Sequence, residues 1–355
     1  MTTPDLPLFT QKLLEWFATN HRPLPWKGEK NPYKIWLSEI ILQQTTVRQG
    51  LPYFERFVEK YSTIKDLADA PEDDVMKLWE GLGYYSRARN LHATAKHIAY
   101  NLNALFPNSY DGLLTLKGVG SYTAAAIASF AYDLPHAVVD GNVYRVLSRY
   151  FGIETPIDMP KAKKQFTDLA NDLLDRNRPA DFNQAMMDFG ATQCTPNNPQ
   201  CRICPLQTTC VAYEKNLVSI LPIKSKKMVK RERFFNYFII NHGDMVYIRK
   251  RLDKDIWQDL YEFPLIETTE LLENTEGVKE FGFQLSDTQL LSKSQPYIQL
   301  LTHQKIVAVF WEFEAKSTFL LEQNQFLKIE KKNLTNFAFP KIVDTYMKKK
   351  VLNLF

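Results

Sequence analysis

Leu116-Lys-Gly-Val-Gly-Ser-Tyr-Thr-Ala124 is the stretch that decides the fold of this 355-residue chain. It follows one helical stretch and opens another that is rich in alanine. Gly118 and Gly120 let the backbone bend sharply between the two helices and expose its amide groups. Those amides, together with the positive end of the second helix, would form a phosphate site. The pattern predicts such a site, and the alternative is an ordinary helix–helix turn.

The first 220 residues carry the periodicity of amphipathic helices. Apolar residues recur at spacings of three and four, which places them on one face of a helix. Prolines and glycines punctuate these segments and mark the turns between them. The clearest helical segments are residues 35–60, 74–80, 88–99 and 161–175. This part of the chain is therefore predicted to be mainly α-helical.

The pattern changes after residue 222. Residues 223–233 are dense in charge and poor in core residues, which predicts a basic linker; it either contacts an anionic partner or is only a solvated tether. Residues 234–240 are aromatic and β-branched, and residues 245–248 form the returning strand of a predicted hairpin. Residues 306–313 are a further strand candidate. The C-terminal third is therefore predicted to be a separate α+β domain.

Composition places the chain among ordinary globular proteins, with 45% hydrophobic and 24% charged residues. The net charge of +4 permits contact with a polyanion but does not argue for one. No apolar run is long enough to span a bilayer. The N-terminal stretch Met1-Thr-Thr-Pro-Asp5 lacks the features of a signal peptide, so we expect a cytoplasmic protein in a reducing compartment.

Four cysteines lie within 17 residues of one another, and their spacing reads Cys194-x6-Cys201-x2-Cys204-x5-Cys210. Thiols this crowded in a reducing compartment indicate a metal site rather than disulfides. Four thiolates suit either zinc or an iron–sulfur cluster. Structural zinc sites usually pair two Cys-x-x-Cys units, whereas this chain has one, and both kinds of metal site stay open on the spacing alone.

Two carboxylates are candidates for acid–base chemistry. Glu39 lies in an apolar helical stretch, where it shares a face with Ile35, Trp36, Leu42 and Gln43. Poor hydration favours its protonated form, which suits a general acid; the alternative is a Glu at the margin of a surface face. Asp140 precedes Gly-Asn and an apolar helix, so from spacing alone it is also a good N-cap.

The cysteine spacing and the glycine hairpin together resemble the endonuclease III family of helix–hairpin–helix DNA glycosylases. The adenine-specific branch is the most similar, through stretches spread over most of the first 220 residues: Leu24-Pro-Trp26, Ser38-Glu-Ile-Ile-Leu-Gln-Gln-Thr45, Gly81-Leu-Gly-Tyr-Tyr-Ser-Arg-Ala-Arg-Asn90 and Phe182-Asn-Gln-Ala-Met-Met-Asp-Phe-Gly190. The resemblance implies a six-helix barrel at 28–136, an iron–sulfur helical domain made of 1–27 and 137–222, the linker at 223–233 and a Nudix-like domain at 234–355.

The resemblance implies one [4Fe–4S] cluster on the four cysteines and assigns the essential aspartate of the family to Asp140. We then expect Glu39 to protonate adenine while ionised Asp140 stabilises the oxocarbenium-like sugar, since two carboxylates suit the cleavage of a glycosidic bond. Asn142 either orients Asp140 or a water, or is an ordinary polar residue of a first helical turn. Bifunctional relatives carry a lysine where this chain has Tyr122, which cannot form a Schiff base.

The resemblance also places DNA contacts on this sequence. Gln43, Gln44 and Tyr84 match positions that probe the duplex around a flipped nucleotide, or else they pack between helices. Lys27 and Gln184 match positions that contact the adenine. Some relatives have a lysine where this chain has Tyr144, which affects only a side-reaction.

The C-terminal domain resembles the Nudix-like domain of adenine glycosylases through Arg249-Lys-Arg251 and Trp257-Gln-Asp-Leu-Tyr-Glu-Phe-Pro264. The acidic magnesium-binding helix of Nudix hydrolases does not follow Pro264, so we interpret this domain as a recognition module. A Phe-Ser-His turn senses the oxidised guanine in relatives, and the matching stretch here is Leu301-Thr-His303. Thr302 keeps a hydroxyl group and His303 is retained, which is consistent with a lesion-sensing role. The alternative is that the stretch is a plain surface loop.

We therefore expect a monomeric, monofunctional DNA glycosylase of base excision repair. It would remove adenine mispaired with 8-oxoguanine or guanine in double-stranded DNA. Two alternatives remain at this point: a bifunctional glycosylase–lyase, which Tyr122 argues against, and a non-enzymatic DNA-binding or redox-sensing protein, which the presence of both Glu39 and Asp140 argues against.

Overall fold

The computed structural model describes residues 6–225, 230–275, 288–316 and 326–352. The N-terminal stretch on which the signal-peptide expectation rests, and residues 226–229 of the expected linker, lie outside the described residues. The chain forms two compact units. One unit contains residues 1–69 and 90–227, and the other contains residues 70–89 and 228–355.

The first unit is helical, as the sequence predicts. Its helices, with α5 and the start of α6 belonging to the second unit, are α1 (Leu6–Asn20), α2 (Pro32–Leu42), α3 (Val47–Lys60), α4 (Ile64–Asp69), α5 (Glu72–Trp79), α6 (Ser86–Asn101), α7 (Tyr110–Leu114), α8 (Ser121–Tyr132), α9 (Gly141–Phe151), α10 (Pro160–Leu173), α11 (Pro179–Asp188) and α12 (Val211–Glu214). A π-helical turn, Phe189–Gln193, continues α11, and two short 3₁₀ turns, Cys201–Ile203 and Gln207–Thr209, lie among the cysteines.

The helical segment expected over residues 35–60 is interrupted. α2 ends at Leu42, and Gln44 takes a φ of 54°, a left-handed conformation that no helix continues. Thr46 then caps α3 by accepting a hydrogen bond from the backbone N–H of Gln49. The prediction of one continuous helical segment over residues 35–60 is therefore wrong, because the Thr46 cap competes with helical continuation at that point.

The core beneath the functional residues joins four helices. Phe9 of α1, Leu147 of α9, Phe166 of α10 and Phe182 of α11 are each at most 1% exposed. They belong to one apolar cluster, and the cysteines that pack against this cluster are Cys194, Cys204 and Cys210. Burial of this apolar surface fixes α9 and α11 relative to the cysteine-bearing loops.

The second unit is built on a sheet. Its described strands are β1 (Arg231–His242), β2 (Met245–Lys250), β3 (Tyr261–Glu262), β4 (Leu265–Thr268), β5 (Thr288–Lys293), β6 (Tyr297–Leu300), β7 (Gln304–Ala315) and β8 (Leu327–Glu330). β1 and β7 pair in parallel along their length, and β1 turns into β2 as the predicted antiparallel hairpin. A 3₁₀ helix, Lys331–Asn336, and α13 (Lys341–Leu352) follow the sheet.

Residues 70–89 are held in the second unit by polar contacts. Asp73 accepts hydrogen bonds from Lys250 and from the Tyr261 hydroxyl, at 2.6 and 2.9 Å. Glu80 accepts from the backbone N–H of Phe339 at 2.8 Å.

Among the helices of the described residues, none combines the length and apolar character that a bilayer crossing requires.

Gly152→Ala should destabilise the helical unit. Gly152 follows α9 with a φ of 67°, and an added Cβ would lie 2.5 Å from Cγ1 of Val211. We expect a loss of about 2 to 4 kcal/mol, the sum of left-handed strain and steric overlap, seen as a lower thermal midpoint by circular dichroism. Gly28→Ala is the matched control, because Gly28 has a φ of 72° but open space around it. Equal losses in the two variants would show that contact with Val211 contributes nothing.

Candidate active site

Glu39 lies in the middle of α2, a helix whose central residues are almost all buried. Its side chain is removed from water, with 5% of the residue exposed. Burial raises the pKa of Glu39 to about 7, and the charge of Asp140 acts in the same direction. A hydrogen bond with the Tyr122 hydroxyl opposes the shift. Glu39 is therefore a carboxyl group that exchanges its proton near neutral pH.

Asp140 caps α9 and is held by two hydrogen bonds. Its Oδ1 accepts from the backbone N–H of Val143 at 2.7 Å, and its Oδ2 accepts from Nδ2 of Asn142 at 2.6 Å. Burial raises the pKa of Asp140, whereas these two bonds and the nearby Arg145 guanidinium favour the ionised carboxylate. Asp140 is thus an N-cap in the structure, and capping leaves its carboxylate oriented and partly accessible.

Tyr122 interacts electrostatically with both carboxyl groups, those of Glu39 and Asp140. It lies in the first turn of α8, and its hydroxyl is hydrogen-bonded to Glu39. Burial and the charges of Glu39 and Asp140 raise its pKa well above that of free tyrosine. Tyr122 therefore stays neutral and supplies a hydroxyl bonded to Glu39, not an amine nucleophile.

Arg145 supports this group from α9. Its Nη2 donates to the Asn142 side-chain oxygen at 2.8 Å and to the Gly190 carbonyl at 2.6 Å, while its Nε donates to the Cys194 carbonyl at 2.8 Å. Gly190 packs directly on Asn142, since an added Cβ would lie 2.6 Å from the Cβ of Asn142. The residue that orients Asp140 is therefore itself fixed from two sides.

The glycine turn joins α7 to α8 as expected. Gly118 takes a φ of 79°, and an added Cβ would lie 2.9 Å from that of Asn90, so glycine is required twice over. Gly120 is the N-cap of α8 and offers no side-chain cap, with open space where a Cβ would be. The N-terminal amides of α8 are consequently left for a ligand, which is the geometry of an anion site.

Gln43 and Gln44 follow the end of α2. Gln43 Nε2 donates to the Thr123 hydroxyl at 3.2 Å, next to Tyr122 in α8. Gln44 lies in the left-handed conformation described above. The structure thus brings Gln43 close to the carboxyl group pair through α8.

Lys27 belongs to a second polar cluster, which also contains Asp188 and Arg22. Lys27, with an 11% exposed side chain, donates to the carboxylate of Asp188, and Gln184 lies one turn before Asp188 on α11. Asp188 is fully buried and also accepts from Nε of Arg22 at 2.7 Å. The sequence reasoning missed Asp188 and Arg22. An acidic residue at the end of an apolar helix was the available signal, because such a residue needs a cationic partner.

The four cysteines line one small cavity. Burial raises the pKa of the Cys204 thiol to about 12 and raises the pKa of Cys210 as well. Arg149, another buried residue that the sequence reasoning missed, donates to the Cys194 sulfur at 3.4 Å and to the Thr195 carbonyl at 2.7 Å. In the described part of the chain, no group of His, Cys, Asp or Glu side chains is arranged to hold a single metal ion.

Tyr84 and Thr302 meet in the second unit. Tyr84 is 44% exposed with a φ of 50°, and its hydroxyl contacts that of Thr302. Thr302 and His303 form the turn between β6 and β7, closed by a 2.8 Å hydrogen bond from Leu301 N to Gln304 O. The His303 side chain is exposed. The turn predicted to sense the lesion is therefore a surface turn, and it contacts Tyr84, which is predicted to probe the duplex.

Two family models match the chain. Residues 37–172 match the HhH-GPD superfamily of base excision DNA repair proteins, and residues 236–349 match the NUDIX domain. Among solved structures, a thermostable thymine-DNA glycosylase aligns with a TM-score of 0.55 and 31% identity, over 59% of this chain and 97% of its own. A non-covalent endonuclease III–DNA complex aligns with a TM-score of 0.54 at 24% identity, over 61% of this chain and 99% of its own, and shows the shared fold.

Curated relatives cover more of the chain. The adenine DNA glycosylase of Buchnera aphidicola subsp. Acyrthosiphon pisum is 32% identical over 98% of this chain and 99% of its own length. That of Buchnera aphidicola subsp. Schizaphis graminum is 40% identical over 74% of this chain and 76% of its own. The human adenine DNA glycosylase is 40% identical over 59% of this chain and 40% of its own. The chain therefore belongs to the adenine DNA glycosylase family.

Proposed function

We propose that the chain removes adenine paired with 8-oxoguanine, or with guanine, from double-stranded DNA by hydrolysis of the N-glycosidic bond without cutting the strand. Adenine glycosylase activity in base excision repair follows from the family, and the opposite base and the absence of strand cleavage are our proposal. The carrying observation is the electrostatic coupling of Glu39 and Asp140 in unequal surroundings. Action as a monomer on DNA in the cytoplasm is part of the same proposal.

Cleavage starts with proton transfer from Glu39. Adenine leaves poorly as an anion, so protonation of a ring nitrogen lets it depart neutral with the electron pair of the bond to C1′. Positive charge then builds on the deoxyribose, where ionised Asp140 stabilises it, by charge alone or by transient attachment. Glu39, now a carboxylate, takes a proton from the water that adds to C1′. The products are adenine and an abasic site.

The different surroundings of Glu39 and Asp140 decide which of them acts as the acid and which as the anion. Glu39 is the more secluded group and holds its proton to about pH 7. Asp140 has two hydrogen-bond donors and the Arg145 guanidinium nearby, all of which stabilise negative charge. Acid and anion can therefore coexist in one site at one pH, which is the general way that paired carboxyl groups divide their work.

The remaining predicted residues bind DNA in this proposal. The turn at Gly118 and Gly120 holds a phosphate on the open N-terminus of α8, and Lys27 and Gln184 contact the extruded adenine. The residues that enter the duplex or read the opposite base are Gln43, Gln44, Tyr84, Thr302 and His303. The contact between Tyr84 and Thr302 supports a joint role for these two residues.

We propose one [4Fe–4S] cluster on Cys194, Cys201, Cys204 and Cys210. All four thiols line one cavity, which fits a shared inorganic core. A single tetrahedral zinc would need its four sulfur ligands about 4 Å apart. A cluster binds each thiolate to a different iron and so accepts wider spacing. When bound, it would cross-link the loops and leave hydrolysis to the carboxyl groups.

A duplex carrying 8-oxoguanine opposite adenine tests the function. The protein should release adenine and leave an intact strand that breaks only when it is heated in alkali. Gel electrophoresis with and without alkali measures both products. Strand breaks without alkali would show a lyase, and a duplex with no abasic site would refute the glycosylase. A duplex with thymine opposite adenine is the substrate control.

Glu39→Gln serves as the protein control for that assay, with excision slower by about 10² to 10⁴-fold because the proton donor is lost. The rise in the pKa of Glu39 from 4.5 to about 7 means that the folded state binds the proton more tightly than the unfolded state. Stability therefore falls as pH rises through this window, by about 3 kcal/mol in total. The variant should be more stable than wild type at about pH 8, which excludes misfolding as the cause of inactivity.

Tyr122→Phe should move the alkaline limit of excision to higher pH. Excision needs protonated Glu39, so the wild-type rate falls as pH rises through about 7. The Tyr122 hydrogen bond lowers the pKa of Glu39, and its removal raises that pKa further. Single-turnover rates across pH measure the limit. Tyr132→Phe is the matched control, because Tyr132 lies in the same helix as Tyr122 and its hydroxyl donates to the Phe106 carbonyl, away from Glu39; this variant should keep the wild-type profile. A shift to lower pH in the Tyr122 variant would contradict this account.

The purified protein should show a broad visible absorbance band that is lost on oxidation, with about four irons per chain. Cys204→Ser should lower the iron content, because one thiolate ligand is removed. Arg202→Ala is the matched control, since this exposed residue lies between two cysteines and should leave iron bound. Stoichiometric zinc without visible absorbance would contradict the proposed cluster.

A further inference from the structure

Asp188 is a buried carboxylate that the proposed reaction does not use. It ends α11 and is fully buried. Three donors surround it: Nε of Arg22 at 2.7 Å, the backbone N–H of Arg22 at 3.0 Å, and the Lys27 ammonium. A carboxylate survives such burial only where donors replace its water, and here all of them come from one loop.

That loop, residues 21–28, lies between α1 and α2, and we call it the cationic loop. Its Lys27 ammonium donates to Asp188 alone within the described residues, so two of its N–H groups remain for a ligand. The other neighbours of Lys27 are Arg22 and the Phe17 ring, whose centroid is 5.9 Å away. Arg22 and Lys27 carry two positive charges and Asp188 carries one negative charge, so these three side chains together have a net charge of +1.

The turn that follows α11 also packs against the residue that orients Asp140. Two residues beyond Asp188, Gly190 packs on Asn142, which donates to Asp140. The Thr192 hydroxyl donates to the Asp188 carbonyl at 2.9 Å and holds the intervening turn. One short segment of backbone therefore joins the cationic loop to the residue that orients Asp140.

We propose that Asp188 is a positioning residue, which holds the Lys27 ammonium beside the cleavage site and directs its free N–H groups to the adenine. This inference rests on the proposed function, in which adenine is the ligand of Lys27. Burial and the charge of Arg22 lower the pKa of Lys27, whereas the Asp188 carboxylate opposes both. Asp188 thus also keeps Lys27 protonated in surroundings that disfavour an ammonium ion.

The first test is a double-mutant cycle on single-turnover excision from the 8-oxoguanine–adenine duplex. Asp188→Asn and Lys27→Met should each slow excision by about ten-fold or more, since misplaced groups lose alignment. The double variant should be no slower than the slower single variant, because Asp188 acts through Lys27. Multiplying losses would overturn the inference. Asp181→Asn, an exposed acid in the first turn of α11, is the matched control and should keep the wild-type rate.

The second test needs no activity. Amine labelling of Lys27, followed by mass spectrometry across pH, reports where the ammonium loses its proton. In Asp188→Asn the labelling midpoint should move to lower pH, because the opposing charge is gone; an unchanged midpoint would overturn the inference. Wild type that releases no adenine would refute the proposed function, yet this labelling shift would still report on Asp188.

Asp188→Glu covers the case in which Asp188→Asn does not fold. Glutamate keeps the charge but displaces the carboxylate by one methylene. We expect the Lys27 labelling midpoint of wild type together with slower excision. Wild-type excision by this variant would overturn the positioning role.

Discussion

Removal of the Glu39 carboxyl group from water is the constraint on which the rest of the site depends. α2 buries this side chain among apolar residues, so the ionised form is disfavoured and the proton is retained to about pH 7. The Tyr122 hydroxyl forms a hydrogen bond with the buried Glu39 carboxyl group. Asp140 accepts hydrogen bonds from other donors at the start of α9. Two carboxyl groups that interact electrostatically thereby favour different protonation states, because their surroundings differ.

α9 serves as the common frame of the helical unit. Asp140 precedes its first turn, and Arg145 and Arg149, one turn apart, face the loops of the cysteines. Their guanidinium groups satisfy carbonyl oxygens that irregular loops would otherwise leave without partners. The conformation of the cysteine loops and the orientation of Asp140 therefore depend on the same helix, α9.

The second unit contains the turn that we propose to read DNA, whereas the proposed proton donor belongs to the first unit. Its sheet is held by the parallel pairing of β1 with β7, and the turn before β7 carries Thr302. Tyr84 contacts Thr302 although the two lie 218 positions apart, because residues 70–89 pack in this unit. In the proposed function, the loss of the aromatic residue at Leu301 affects recognition and leaves the proton donor unchanged.

The sequence alone determined the helical and sheet-forming parts, the family and the candidate carboxyl groups, because periodicity and spacing are local properties of the chain. The roles of Glu39, Asp140 and the DNA-contacting residues remain predictions. Tertiary structure alone decided where α2 ends, that Tyr122 bonds to Glu39, and that Asp188 holds Arg22 and Lys27 from 166 and 161 positions away. Partners so distant meet only through helix packing, and a pattern of neighbouring residues carries no record of that packing.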